Sequence, residues 1–177
     1  FRRSIPIMAG YFPAGIAFGI LMAASGYDFL WSGLTSAAVL AGSLQFLMVN
    51  FFTGTLDMAT IIVMALLLNS RHIFYGLSYI DKFKSWGPWK YFMIYSLSDE
   101  NYSLLCSYKP LEGTDEKAVN IMSSALSVFY WIAFSMLGGL AGKLITFNTK
   151  GIDFALTALF IVILLDQMKD AKSRLPA

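Results

Sequence analysis

Charge is scarce in this sequence. Asp, Glu, Lys and Arg make up 14% of its 177 residues, against about 25% in soluble domains. Hydrophobic residues make up 57%, and the mean hydropathy is +0.62. So few charges would leave much of a soluble surface apolar, whereas the hydrocarbon of a bilayer accepts apolar side chains without penalty. The composition therefore excludes most soluble classes and predicts an integral membrane protein.

Cysteine and histidine each occur once. Cys106 cannot form an internal disulfide, and His72 has no second histidine or cysteine at metal-ligand spacing. The net charge is only +2 and the basic residues are scattered, which excludes a phosphate-binding stripe for nucleic acid. We therefore expect no metal, no cofactor and no nucleic-acid partner.

Long apolar runs are what the sequence has in abundance. A helix that crosses the bilayer needs roughly 20 mostly apolar residues. Six stretches approach that length, namely residues 4–27, 29–56, 58–80, 89–108, 118–142 and 151–168. They predict an all-α protein, a polytopic integral membrane helix bundle with about six membrane segments. The fourth stretch has the alternative of lying in the membrane interface.

The loops between these stretches are short, so we interpret residues 1–177 as a single transmembrane domain. The sequence begins at Phe1 without an initiating methionine, and we expect a fragment whose C-terminal hydrophobic segments are missing. Six crossings would place seven Lys and Arg residues on the amino-terminal side and five on the other. So small a difference does not decide the orientation in the membrane.

Pro13 lies in the middle of the first stretch. A proline inside lipid removes a backbone donor and needs compensation from its neighbours, so we expect this segment to be kinked or broken at Pro13. One interpretation is a packing helix in which Gly15 belongs to a small-residue stripe with Gly19 and Ala23. The other is a broken helix whose freed backbone groups line a substrate path.

Gln45 is the most polar residue of the second stretch. A buried amide needs partners, so Gln45 either bonds across helices as structural glue or lines a wet cavity. Ser43 and Gly42 are small and leave room beside it. We therefore include Ser43 and Gln45 among the candidate path residues.

The third stretch carries the cluster Asn69, Arg71, His72 and Tyr75. Arg71 lies about 13 Å of helical rise from the nearer end of its segment, and a charge at that depth usually pairs or faces water. The alternative is that Arg71 extends along the helix to the headgroups. His72 is a candidate for proton coupling, since histidine is the side-chain type that can change its charge in this pH range, or a hydrogen-bonded structural histidine.

The fourth stretch has Asp99 and Glu100 at its centre. If it is one helix, its polar side chains form a continuous stripe, which consists of Tyr95, Ser98, Asp99, Tyr102, Ser103 and Cys106. Asp99 and Glu100 are therefore further candidates for the path and for proton coupling. A zwitterionic amino acid would need a positive group for its carboxylate and a negative group for its ammonium, and Arg71 with Asp99 or Glu100 supplies both.

At these residues the sequence resembles the AzlC-like family, the large subunit of branched-chain amino acid exporters of the azaleucine-resistance and valine-export type. The resemblance rests on stretches in the family's order: GYFPAGIAFGIL (10–21), AGSLQFLMV (41–49), LLNSRHIFYGLS (67–78), SLSDENYSL (96–104) and GIDFALTALFIVIL (151–164). It implies a permease of the bacterial cytoplasmic (inner) membrane that exports valine, leucine, isoleucine or methionine. It also implies a small AzlD-like membrane subunit as partner.

Two other functions remain open. A membrane-embedded enzyme could use Asp99 or Glu100 as acid or base, although the sequence contains no metal spacing and no nucleophile motif. A non-transporting scaffold subunit would use its buried charges only to pair with one another. Proton antiport as the driving force of export is a further hypothesis, based on His72, Asp99 and Glu100.

Overall fold

The computed structural model describes residues 4–52, 54, 57–106 and 114–144. Within these ranges the chain forms seven α-helices and no strand, which confirms the all-α prediction. The helices are α1 (Ile5–Ala24), α2 (Phe29–Ala38), α3 (Gly42–Phe52), α4 (Met58–Lys84), α5 (Trp89–Tyr95), α6 (Asp99–Cys106) and α7 (Glu116–Leu144). The predicted segment 151–168 lies outside the described residues.

Three of the helices, α1, α4 and α7, are long and apolar enough to cross a bilayer. They correspond to the first, third and fifth predicted segments. Arg71 is the central residue of the 27 in α4, and Trp131 follows the central residue of the 29 in α7. Both side chains therefore belong to the middle of the bundle rather than to its ends.

α1 and α7 pack side by side and run in the same direction. A Cβ atom at Gly15 would lie 2.7 Å from that of Phe134. Further along, a Cβ at Gly19 would overlap backbone atoms of α7, and a Cβ at Gly142 would lie 2.7 Å from that of Ala23. The predicted small-residue stripe is therefore a helix-packing surface, and Gly15 belongs to it rather than to a path.

The helix is continuous through Pro13, which excludes a break at this residue, and the kink stays a prediction. Pro13 and Gly10 are both on the exposed side of α1. The proline therefore interrupts the backbone hydrogen bonds away from the contact with α7, and it does not end the helix.

The second predicted segment is also wrong as a single span. The chain leaves the helical conformation at residues 39–41 and reverses, so that α2 and α3 form a hairpin (the first hairpin, residues 29–52). The Gln45 side chain of α3 donates to Ser36 of α2 at 3.0 Å. At the open end of the hairpin, the rings of Tyr27 and Phe52 lie 5.1 Å apart. Both arms therefore return to the same end of the bundle.

The fourth predicted segment is a second reversal rather than a crossing or an interfacial helix. α5 and α6 meet at residues 96–98 and form the second hairpin (residues 89–106). The ring of Tyr102 stacks on Tyr75 at 4.3 Å, and the Tyr79 hydroxyl donates to Cys106 at 3.6 Å, so α6 follows the direction of α4. The predicted polar stripe is interrupted because the helix restarts at Asp99.

The two hairpins enter the bundle from opposite ends. At one end, Lys82 pairs with Glu116 at 2.5 Å, and at the other Asp28 pairs with Lys143 at 2.6 Å. We name these the Lys82 end and the Lys143 end. Hydrogen bonds from Lys143 and from the backbone of Phe29 hold the pKa of Asp28 below its usual range. The second hairpin opens at the Lys82 end and the first at the Lys143 end.

The order of elements is thus repeated with inverted direction. α1 runs toward the Lys143 end and is followed by the first hairpin, and α4 runs toward the Lys82 end and is followed by the second hairpin. Inverted-topology repeats of this kind occur in many secondary transporters. α7 then packs against both α1 and α2.

The hairpins predict a topology that differs from six crossings. We expect Met58 to lie on the same side of the membrane as Leu144, and Ser85 on the same side as Thr114. Six crossings would instead pair Met58 with Thr114. Single cysteines at these positions, in a Cys106→Ser background, can be labelled with an impermeant maleimide in right-side-out and inside-out vesicles. Equal labelling of the Met58 and Thr114 positions from one side would contradict the two hairpins.

The contact of α1 with α7 predicts a steep cost for one added methyl group. In Gly19→Ala the new Cβ would overlap the Ser135 carbonyl and the backbone of Gly139, so we expect a loss of about 1–3 kcal/mol of stability. Gly10→Ala is the matched control, because nothing lies within 4 Å of a Cβ at that position. Melting of the detergent-solubilised protein, followed by size-exclusion chromatography, distinguishes the two. Equal melting temperatures would refute the packing.

Candidate functional site

The tips of the two hairpins meet in the middle of the bundle. The Tyr95 hydroxyl, at the end of α5, donates to the backbone carbonyl of Ala37 at the end of α2. Beside this contact lies a cavity of about 20 Å³. Its walls come from both tips, from α1 and from α7, and they are Tyr11, Leu40, Gly42, Ser98, Glu100 and Trp131. A space of that size admits about one water molecule.

Arg71 joins the two hairpins directly. Its Nη2 donates to the Ser43 hydroxyl in the first turn of α3 at 2.5 Å and lies 2.8 Å from Asp99 Oδ2 in the first turn of α6. The Tyr75 hydroxyl donates to Asp99 Oδ1 at 2.8 Å, so both oxygens of this carboxylate are occupied. Side-chain exposures of 26% for Arg71 and 38% for Asp99 leave the pair partly accessible.

Glu100 is held by the opposite helix. The Tyr11 hydroxyl of α1 donates to Glu100 Oε2 at 2.9 Å and also bonds the Ser98 hydroxyl at 3.0 Å. In the part of the chain that the structure describes, no cation lies within ion-pair distance of Glu100. The first turn of α6 therefore has one carboxylate paired with a cation on α4 and one hydrogen-bonded to a neutral phenol on α1.

The side chain of Gln45 is fully buried, and both its nitrogen and its oxygen form hydrogen bonds. Its amide nitrogen donates to Ser36, and its oxygen accepts a 2.7 Å hydrogen bond from the indole of Trp131. Of the two interpretations made from the sequence, structural glue describes these contacts. Gln45 ties the first hairpin to α7 just behind the cavity wall.

Two other candidates on α4 point away from the cavity. Asn69 donates to the carbonyl of Ala65 in its own helix at 3.0 Å. The ring of His72 packs edge-on against Tyr75 at 5.7 Å, and its buried Nδ1 has no hydrogen-bond partner among the described residues. The structure therefore brings together Ser43, Arg71, Tyr75, Asp99 and Glu100, and it places Asn69, His72, Pro13 and Gly15 elsewhere.

The electrostatics of the site combine side chains with helix ends. α3 and α6 both begin at the junction of the hairpins, and a helix amino terminus carries partial positive charge. In α6 the first turn contains Asp99 and Glu100, which balance this charge, whereas the first turn of α3 contains no acidic residue. The α3 side, with Arg71, is thus suited to an anionic group and the α6 side to a cationic one.

Of the cavity wall, sequence reasoning selected only Glu100. It missed the three other residues with polar side-chain atoms, namely Tyr11, Ser98 and Trp131. Tyr11 and Trp131 lie in long apolar runs, where an aromatic residue is normally part of the core, and their rings do pack together at 5.1 Å. Their polar atoms were the available signal, since a buried phenol or indole normally has a hydrogen-bond partner. Ser98 belonged to the predicted polar stripe but was not selected from it.

The arrangement brings side chains of opposite charge together where the two hairpins meet. No group of three or more His, Cys, Asp and Glu side chains suited to a metal ion exists in the described ranges. The site therefore offers a guanidinium, two carboxylates and aromatic walls at the centre of the bundle.

Comparison with known proteins identifies a family that the chain matches. The model of the AzlC protein family matches residues 6–145. The chain is 36% identical over 173 residues to the branched-chain amino acid transport protein AzlC of Bacillus subtilis (strain 168), which covers 97% of this chain and 68% of that protein. Uncharacterized membrane proteins of Helicobacter pylori (strain 26695) and Haemophilus influenzae are 35% and 32% identical. They cover 96% and 98% of this chain, and 74% and 71% of their own lengths. No solved structure matches.

Proposed function

The chain belongs to the AzlC family, and we propose that it is a membrane permease that exports branched-chain amino acids. The substrates we propose are valine, leucine and isoleucine, with methionine as a related apolar amino acid. The relative from Bacillus subtilis is named as a branched-chain amino acid transport protein, which supports the substrate class. The observation that carries the proposal is the link made by Arg71 between the two hairpin tips at the centre of α4.

The proposed binding mode uses opposite ends of the amino acid. Its carboxylate would bind Arg71, Ser43 and the amino terminus of α3, where positive charge is available. Its ammonium would bind Glu100 or the carboxylate of Asp99. The branched side chain would then contact the apolar walls of the cavity, in which Trp131 is the largest residue.

Substrate entry requires the hairpins to separate. The cavity of about 20 Å³ is far smaller than an amino acid, because even one water molecule occupies about 30 Å³ in the liquid. Movement of the second hairpin would open the site to the Lys82 end, and movement of the first would open it to the Lys143 end. Alternating opening of two inverted repeats around a fixed central site is a general transport mechanism.

The two hairpins also change how many basic residues lie at each end of the bundle, and this number bears on the orientation of the protein in the membrane. In the described ranges, Lys84, Lys90 and Lys117 lie with Lys82 at one end of the bundle, whereas the opposite end carries only Lys143. Because basic residues accumulate on the cytoplasmic side, we propose that the Lys82 end faces the cytoplasm of a bacterial inner membrane. Exported substrate would then enter past the second hairpin and leave past the first.

We further propose that the permease works with a small AzlD-like membrane subunit, as the family resemblance implies. A scaffold subunit without transport activity is the second candidate, because the central charges Arg71 and Asp99 do pair with one another. The enzyme alternative has no comparable support, since both carboxylates of α6 are engaged in hydrogen bonds and the named relative is a transport protein.

Substitutions of Arg71 and Asp99 distinguish a transporter from a scaffold subunit. In Arg71→Ala and Asp99→Asn we expect export to fall by about tenfold or more, because each removes a charge-assisted contact of about 1.5–3 kcal/mol. Insertion into the membrane should be retained. The measurement is intracellular valine, leucine and isoleucine in cells that express the full-length gene with its small subunit.

Two controls make this result specific. Tyr91→Phe removes the hydroxyl of an exposed tyrosine outside the site and should leave export unchanged, whereas Tyr75→Phe should lower it. The exchanged pair Arg71→Asp with Asp99→Arg preserves an ion pair but misplaces the charges, so a transporter should stay inactive. Normal function of the exchanged pair would instead support the scaffold, and normal export by both single variants would overturn the proposed site.

Proton antiport can be assigned to one carboxylate. Asp99 is paired with Arg71, and His72 lies away from the cavity, so we propose that Glu100 exchanges the proton. In proteoliposomes, an imposed proton gradient should accelerate valine export by the wild type and by His72→Gln. In Glu100→Gln, we expect valine exchange to persist, because Asp99 would still bind the ammonium, but without this acceleration. Unchanged acceleration in Glu100→Gln would exclude Glu100 as the coupling residue.

A further inference from the structure

A second surface of the molecule combines an apolar groove with two lysines at one end. The groove has a volume of about 430 Å³ and runs between α4 and α5 on the outside of the bundle. Most of its walls are aliphatic or aromatic, from Ile73, Leu77, Ile80, Phe83, Ile94 and Leu97. Gly76 lies in its floor, where nothing stands within 4 Å of an added Cβ.

Two lysines line one end of this groove, Lys84 on α4 and Lys90 on α5. Lys84 is 3.1 Å from Asp81, but both side chains are highly exposed, and such surface pairs contribute little. Lys90 lies over the ring of Tyr91 at 4.9 Å and has no ion pair in the described ranges. Neighbouring Lys82, by contrast, pairs closely with Glu116.

The position of the groove matches one leaflet of a bilayer. From Ile73 to Lys84, α4 rises by about 16 Å, which is half of the roughly 30 Å thickness of the hydrocarbon core. Trp89, the first residue of α5, is half exposed at the lysine end, and tryptophan is enriched at membrane–water interfaces. The lysines are therefore at headgroup level and the apolar walls at acyl-chain level.

We propose that this groove is a binding site for an anionic phospholipid. The acyl chain lies along the apolar walls, and the headgroup phosphate binds Lys84 and Lys90. The positive end distinguishes the occupant from a zwitterionic lipid, which carries no net charge to match it, and from a purely apolar helix of a partner. The site is separate from the transport path, because neither lysine contacts the central cavity.

The test compares two phospholipids with identical acyl chains on the full-length protein. Native mass spectrometry should show tighter binding of phosphatidylglycerol than of phosphatidylcholine. Since each lysine near an anionic headgroup contributes about 1 kcal/mol, the double variant Lys84→Gln with Lys90→Gln should bind phosphatidylglycerol about tenfold to thirtyfold more weakly. Lys117→Gln removes a charge at the same end but outside the groove, so it is the matched control and should keep the preference.

A second variant tests the apolar part of the site. Gly76→Leu places a side chain in the floor of the groove and should weaken binding of both phospholipids without altering the lysines. Equal binding of the two phospholipids by the wild type would overturn the proposal, as would an unchanged preference in the double lysine variant. Retention of a second protein subunit on this face, in place of lipid, would also overturn it.

Discussion

Lipid forms no hydrogen bonds with backbone N–H and C=O groups, so a chain that leaves the helical conformation inside a bilayer must find partners for these groups within the protein. The rest of the structure depends on how the tips of the two hairpins find them. At residues 96–98, the carbonyl of Ser96 accepts hydrogen bonds from the backbone of Ser98 and from the side chain of Asn101. Near residues 39–41, the backbone carbonyl of Ala37 accepts a hydrogen bond from the Tyr95 hydroxyl. The freed groups of one tip are thus partly satisfied by the other, so the tips must meet inside the protein. α1, α4 and α7 contribute Tyr11, Arg71 and Trp131 to this junction.

The packing of α1 against α7 divides the bundle into a rigid part and a part that can move. Glycine backbones in direct contact leave no space for sliding, because a single methyl group at Gly19 would already overlap its neighbour. The hairpin tips, by contrast, are joined by a few hydrogen bonds and one ion pair. Closely packed helices have discrete arrangements, whereas polar contacts at a hydrated junction exchange readily. Under the proposed mechanism, opening of the bundle would therefore begin at the hairpin tips, with α1 and α7 as the frame.

The sequence predicted three spanning helices correctly because length and hydropathy suffice for a straight segment. It did not reveal the hairpins, since an apolar re-entrant segment has the same composition as a crossing one, and no proline marks either tip. Of the two alternatives at Pro13, the break is absent, because the exposed proline is accommodated within the continuous helix α1. The pair Arg71 and Asp99 was predictable from the cost of central charges. The role of Tyr11 was not predictable, because its partner Glu100 lies on α6, far away in the sequence, and the two meet only in the folded protein.

Arg71 contacts both hairpins through the same side-chain nitrogen. One guanidinium nitrogen, Nη2, binds both Ser43 in the first hairpin and Asp99 in the second, so a carboxylate that bound this nitrogen would compete with Asp99 for the same donor. Binding of a substrate carboxylate would then weaken the contact that holds the second hairpin in place. Glu100 has no equivalent cation in the described ranges and would be released only from the neutral phenol of Tyr11. Substrate binding and hairpin separation would therefore draw on one shared interaction, which is what coupling between a site and its access route requires.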